Sequence, residues 1–268
     1  MRGMIAWLKQ DRETMLHRVN PACKFTVFML LLALVLWNRQ FDIALHGVIA
    51  FACLLFFMGG YRWYKMLLIL SPFLFLFLSS ASTMILFGKG DTVWWQWGII
   101  KVSEESFFRG LLLGCKTISF GLLGMTFALT TRPILFFYAL MQQFRLPAKY
   151  GYSFIASIRM LPAVWEDIIT RKQALQVRGV RYSKGIRGWY ERLHHYLVPT
   201  MAHNIRRAQR VAIAMESKRF QMQASRTYYY VTTITIRDVS FILAMITLAV
   251  LVYYTAQLIP IVGWHPRS

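Results

Sequence analysis

The feature that most limits this chain is a conflict between its apolar runs and its charge. Long hydrophobic stretches alternate with segments crowded with Lys and Arg. The chain is 57% hydrophobic and still carries a formal charge of +20. One water-soluble core cannot easily hold both. The two coexist when the apolar runs lie in lipid and the cations gather on one side of it. Five runs approach spanning length: Thr26 to Trp37 with its flanks, Ile43 to Met58, Met66 to Phe87 with Pro72 near its start, Phe107 to Leu129, and Val239 to Val262. A span needs about 20 largely apolar residues, and the first two are short. Phe136 to Phe144 is too short to cross and reads as an interfacial segment. The expected fold is all-α, a polytopic membrane protein of about five spans with a helical cytoplasmic insert.

Cation placement sets the expected orientation. Of the 31 Lys and Arg, 25 fall on one side: before the first span, between the second and third, and from Arg132 to Arg237. Four fall on the other side, Arg39, Lys89, Lys101 and Arg267, while Arg109 and Lys116 lie in the fourth span. The positive-inside rule then puts the amino terminus in the cytoplasm and the carboxyl terminus outside. No signal peptide is expected, because the first twenty residues are polar and no cleavage pattern follows a short apolar core. The chain divides into a membrane part (1–131), a basic cytoplasmic or interfacial insert (132–237), and a closing span with a short tail (238–268).

Within the insert, "PAVWEDIITRKQALQVRG" opens at Pro162, has Glu166 and Asp167 early, and stops at Gly179. "PTMAHNIRRAQRVAIAMESKRF" repeats the plan from Pro199. Both read as helices started by proline. Between them, "YSKGIRGWYERLHHYL" suits a loop leading into a helix at the membrane surface. An echo joins the two helix ends: Ala174 precedes Arg178 by four residues, and Ala214 precedes Lys218 by four. Four residues is about one turn, so the small residue and the cation share a face. Docking against a carboxylate-bearing partner fits that pattern, and so does a cation that merely complements a helix dipole.

Other signals point to packing. Cys23, Cys53 and Cys115 lie in or beside spans without metal-ligand spacing. His194 and His195 are adjacent on a helix and so point about 100° apart, with no nearby donor set to complete a metal site. "GLLLGCKT" lacks the glycine before lysine that a phosphate loop requires and lies inside a span. Glu104 and Glu105 read as a helix start. Gly110, Gly114, Gly121 and Gly124 allow a helix to approach closely. They and Ser79 to Thr83 suit either packing within the chain or a surface for a second membrane protein.

At this point the residues resemble a known family. "SIRMLPAVWEDIITRKQALQVRG" followed by "AMESKRF" is similar to the coupling region of the transmembrane T component of energy-coupling factor transporters. Arg159 and Pro162 fit its Arg–x–x–Pro element. Ala174, Gln176, Arg178 and Gly179 fit its first Ala-Arg-Gly motif, with Val177 where alanine is usual. Ala214, Met215 and Glu216 lead the second, which here reads Ser217, Lys218, Arg219, with lysine in place of arginine and arginine in place of glycine. "TMLHRVNPACK" is similar to the family's opening segment at Leu16, His17, Pro21 and Lys24, although Asn20 and Pro21 would start any helix.

The resemblance implies a non-catalytic subunit of an ATP-driven importer in the plasma membrane of a prokaryote. Two cytosolic ATPases, identical or different, hold ATP and Mg, so no cofactor is expected in this chain. A small membrane-embedded S subunit binds the transported vitamin or metal ion, which leaves the substrate unspecified by this sequence. Ala174, Val177, Arg178 and Gly179, and Ala214, Ser217, Lys218 and Arg219, are the implied ATPase-docking residues, with Lys218 and Arg219 both open as the second anchoring cation. Rival classes are an integral-membrane lipid-modifying enzyme and a binder of anionic lipid or nucleic acid. The first would need acids or histidines clustered at one membrane depth, and the spans hold few.

Overall fold

A computed structural model describes residues 14–60, 62–88, 92–97, 100–220 and 228–260. Asn20 accepts a hydrogen bond from Ala22 N (3.0 Å) and Pro21 takes the first helical position, starting α1 (Pro21–Trp37). There follow α2 (Phe41–Met58), α3 (Trp63–Phe87), a hairpin of β1 (Val93–Trp97) and β2 (Ile100–Ser103), and α4 (Glu104–Thr130). Then come α5 (Pro133–Gln143), α6 (Ala148–Val177), α7 (Ile186–Ser217) and α8 (Ile236–Leu258). The protein is an all-α polytopic membrane protein. Among the described residues, four helices (α2, α3, α4 and α8) are long and apolar enough to span, and α1 is a shorter apolar helix of 17 residues. The antiparallel hairpin joining α3 to α4 was not foreseen from the sequence. Its residues carry the strand signal of a Trp-rich run, masked by the apolar helices on either side.

The described residues form two compact units. One runs to Phe136 and resumes at Thr232; the other is Phe137–Val231. In the first, α3 and α4 make the most extensive pairing. Glycine makes it possible. A Cβ on Gly110 would come within 2.6 Å of Ile85 Cγ1 and 2.9 Å of Ala81 O, and one on Gly114 within 2.6 Å of the Phe77 ring. Gly121 meets Phe73 in the same way, whereas Gly124 faces open space. Three of the four glycines therefore serve packing inside this chain. Lipid is as apolar as leucine, so such close van der Waals fit, rather than exclusion of water, holds the pair.

The opening segment closes one end of this unit. Leu16 is 1% exposed and packs in the core with Leu55, Met66, Leu122 and Leu123. Lys24, also 1% exposed, donates to Leu16 O (2.6 Å), Thr130 O (3.1 Å) and Thr130 Oγ1 (3.3 Å), so it clips the segment to the end of α4. Thr14 Oγ1 donates to Met58 O (2.7 Å) at the end of α2. Asp238 joins two helix starts: Oδ1 accepts from Asn20 N (2.7 Å) and Oδ2 from Thr235 N (2.7 Å). An ammonium out of water survives only with such acceptors, and a carboxylate only with such donors.

The second unit corrects the expected helix starts. Pro162 lies inside α6 and Pro199 inside α7; neither begins its helix. The start signals are Pro147, which precedes Ala148, and Gly185 at φ +84°, which precedes Ile186. A proline at a helix start and one in a long helix look alike locally. The deciding residues are the fourteen before Pro162, "AKYGYSFIASIRML", which are themselves good helix material. With 30 and 32 residues, α6 and α7 are rods of roughly 45 and 48 Å.

Candidate functional site

Both helices of the second unit end in the same turn. At the end of α6, Gly179 N donates to Gln176 O (3.0 Å) and Val180 N to Leu175 O (3.2 Å). At the end of α7, Arg219 N donates to Glu216 O (2.9 Å) and Phe220 N to Met215 O (3.0 Å). This pair of bonds is the Schellman arrangement, which satisfies carbonyls a helix end would leave orphaned. It requires one residue in the left-handed region. Gly179 supplies it at φ +69°, and Arg219 at φ +53°. Glycine adopts that conformation freely, but arginine does so at a cost of about 1 kcal/mol or more.

The shared geometry fixes a register between the two ends. Arg178 and Lys218 both cap their helices, each donating its backbone N–H to the alanine carbonyl four residues earlier (Ala174 O 3.1 Å, Ala214 O 3.3 Å). Lys218 is therefore the geometric counterpart of Arg178, and Arg219 that of Gly179. All eight sequence-predicted residues are exposed: Ala174, Val177, Arg178, Gly179, Ala214, Ser217, Lys218 and Arg219. The fold gathers them into two groups of four, one at each helix end. Val177 is 89% exposed, an apolar side chain held out in solvent beside a cation.

Sequence reasoning missed what stands behind the end of α7. Phe220 packs edge-on against Tyr152 (centroids 5.5 Å, 90°), and Tyr152 lies edge-on to Tyr138, which also meets Tyr228 and Tyr230. Gln142 Nε2 donates to Tyr230 O (2.7 Å). The aromatic density of "YYY" at 228–230 was the available signal. Along the rods, Asp167 on α6 faces His203 on α7 (3.7 Å), a polar cross-link between the helices. In the first turns of α7, Glu191 Oε2 accepts from N and Oγ of Ser183, which precedes the helix, and Oε1 pairs with Arg187 at 3.4 Å. The hydroxyl and then the backbone bonds of Ser183 hold this carboxyl below its ordinary range. That pins the turn at the start of the rod.

Among the described residues, no group of three His, Cys, Asp or Glu could hold a metal. The ring centroids of His194 and His195 lie 6.2 Å apart with planes at 80°. What the arrangement offers chemically is two exposed cationic helix ends with the same backbone geometry, on long helices.

The first unit holds the apolar helices long enough to span a membrane, and the second holds two long helices whose ends share one basic turn. The family model for cobalt transport protein, CbiQ, matches residues 12–229. Similar curated proteins include the energy-coupling factor transporter transmembrane protein EcfT of Streptococcus equi subsp. equi, 24% identical over 90% of this chain and 92% of that one. The EcfT of Bacillus subtilis is 25% identical over 95% and 98%. The chain belongs to the CbiQ family, as a T component of energy-coupling factor transporters.

Proposed function

We propose that the chain couples two cytosolic ATPases to a membrane-embedded S subunit, each helix tip docking in one ATPase. The observation that carries this reading is the matched pair of turns: the same hydrogen-bond pattern, an alanine one turn before a cation, and exposed residues at both. The small residue admits a partner's backbone, and the cation beyond it reaches a carboxylate. Arg178 presents a planar fork to its acid, whereas Lys218 is a point charge that tolerates looser geometry. ATP and Mg belong to the ATPases, and this chain performs no chemistry.

The S subunit is proposed to rest on the apolar stripe of α7. Ile186, Trp189, Leu193, Leu197, Met201 and Ile205 recur at helical spacing and are all exposed. The cargo is a vitamin or metal ion chosen by that subunit. Twenty-five of 31 cations on one side support a cytoplasmic amino terminus, an outside carboxyl terminus and residence in a prokaryotic plasma membrane.

The test is the composition, by native mass spectrometry, of the complex that purifies with the tagged full-length chain in mild detergent. Two ATPase chains and one small membrane protein per tagged chain are expected. A chain that purifies without any ATPase overturns the reading.

A further inference from the structure

The first unit contains an apolar groove of about 590 Å³ that the coupling function does not use. Its walls are the far halves of three helices. Leu31, Leu34 and Val35 come from α1, Ala44 and Gly47 from α2, and Val250 from α8, with Ser119 of α4 at its floor. The helices α1 and α8 are tied at their other ends through Asp238 and Asn20 (2.7 Å), and the groove lies between them toward the ends that lack such a tie. Its volume is in the range of small-molecule sites.

The rim differs in kind from the walls. Trp37, Asn38, Tyr253 and Tyr254 line it, the residue types that settle at a lipid headgroup boundary. Just beyond sits Arg39, exposed in the turn between α1 and α2. Lys116, one turn from Ser119 on α4, reaches Leu36 O (3.0 Å) at the same corner. Arg39 is one of four cations on the side where cations are scarce, and Lys116 lies within the fourth span. With Asp42, buried in the first turn of α2, the three side chains sum to a formal charge of +1. Depth adds to the argument. With 17 residues, α1 is about 25 Å long, against a hydrocarbon core of about 30 Å. When Pro21 lies at one boundary, the Arg39 corner sits a few ångströms inside the other.

We propose that this groove binds one anionic phospholipid, its acyl chain along α1, α2 and α8 and its phosphate against Arg39 and Lys116. The apolar walls take the chain, the aromatic rim takes the glycerol region, and the recessed charges draw the headgroup inward. Charge complementarity selects an anionic lipid over a zwitterionic one. The site rests on the membrane reading of the fold and is independent of ATPase docking.

Gly47 provides the decisive variant. A Cβ there meets only Phe51, at an ordinary 3.8 Å, so Gly47→Leu enters a groove wall with no clash at its Cβ. Val250→Trp fills it from a 48% exposed position on α8, so either variant that keeps the wild-type elution profile suffices. The full-length protein, with the subunits that purify with it, is exchanged into detergent containing phosphatidylglycerol or phosphatidylcholine of identical chains. Bound lipid is then counted by native mass spectrometry.

Wild type is expected to retain one phosphatidylglycerol on this chain and to prefer it at least fivefold. The filled variants should lose it, and Arg39→Gln with Lys116→Gln should keep a lipid but lose the preference. Lipid retention that is equal in wild type and filled variants overturns the proposal. So does an equal hold on both headgroups, or a co-purified membrane protein cross-linking to Val250 in place of lipid.

Discussion

The ends of α6 and α7 are built on one backbone plan and filled with different side chains. Both close with the same two hydrogen bonds, within 0.2 Å of each other in each pair. Both expose alanine, a following helix-end residue and a capping cation. They diverge at the residue that must be left-handed, Gly179 in one and Arg219 in the other, and at the cap itself, Arg178 against Lys218. Geometry is thus kept where chemistry is not. A helix end used only to stop a helix has no need to repeat an exposed alanine and cation. Under the docking role proposed above the repeat is expected, and the differences would then report on partners that are not alike or on one contact that is looser than the other.

The largest effect expected is that of Arg178→Ala. Removing one member of a desolvated, hydrogen-bonded charge pair costs about 2–5 kcal/mol, or roughly 30-fold to several thousand-fold in affinity. The variant should lose the ATPase bound at α6 and abolish uptake, while the membrane unit keeps its wild-type thermal unfolding. ATPase recovery and uptake equal to wild type would remove Arg178 from the anchor role.

Lys218→Ala should be milder, at about 1–3 kcal/mol, because a flexible ammonium is less fixed by its acid than a guanidinium fork. The sharper measurement is Lys218→Arg. If the second tip differs only in strength, arginine should tighten ATPase retention in a salt-resistance series. If the second partner's groove is shaped for lysine, the larger fork should weaken it. Either outcome tells whether the asymmetry belongs to this chain or to its partners.

Much of this was legible from the sequence, for reasons that differ by region. The spans announced themselves because lipid demands long uninterrupted apolar runs, and the tips did so because a small residue and a cation at a spacing of four is a local pattern. Pro162 and Pro199 misled because a proline's own neighbourhood cannot report that helix precedes it. The clip from Lys24 to Thr130 and the bridge from Asp238 to Asn20 join residues more than 100 positions apart, and no local pattern encodes such a partner. Lys24 was singled out by resemblance alone; its three acceptors supply the physical reason for it. The spacing of four had already paired Lys218 with Arg178, while "SKR" left two cations open as the anchor; the backbone bonds give that pairing its geometry.

The smallest effect concerns the left-handed residue, and it separates stability from docking. Arg219 occupies φ +53°, where an L-residue's Cβ crowds the backbone. Arg219→Gly should relieve that crowding and stabilise the end of α7 by roughly 0.5–1 kcal/mol, read as slower hydrogen exchange at Arg219 N and Phe220 N, the two bonds that close the turn. The mirror change, Gly179→Ala, should destabilise the end of α6 by about 1 kcal/mol and speed exchange at Val180 N. Docking is read on the same proteins. If Lys218 is the second anchor, Arg219→Gly leaves ATPase retention intact or improves it, because a firmer turn holds the cap in place. If retention falls while exchange slows, the charge of Arg219 is itself part of the contact, and the strained conformation is kept for the side chain it presents.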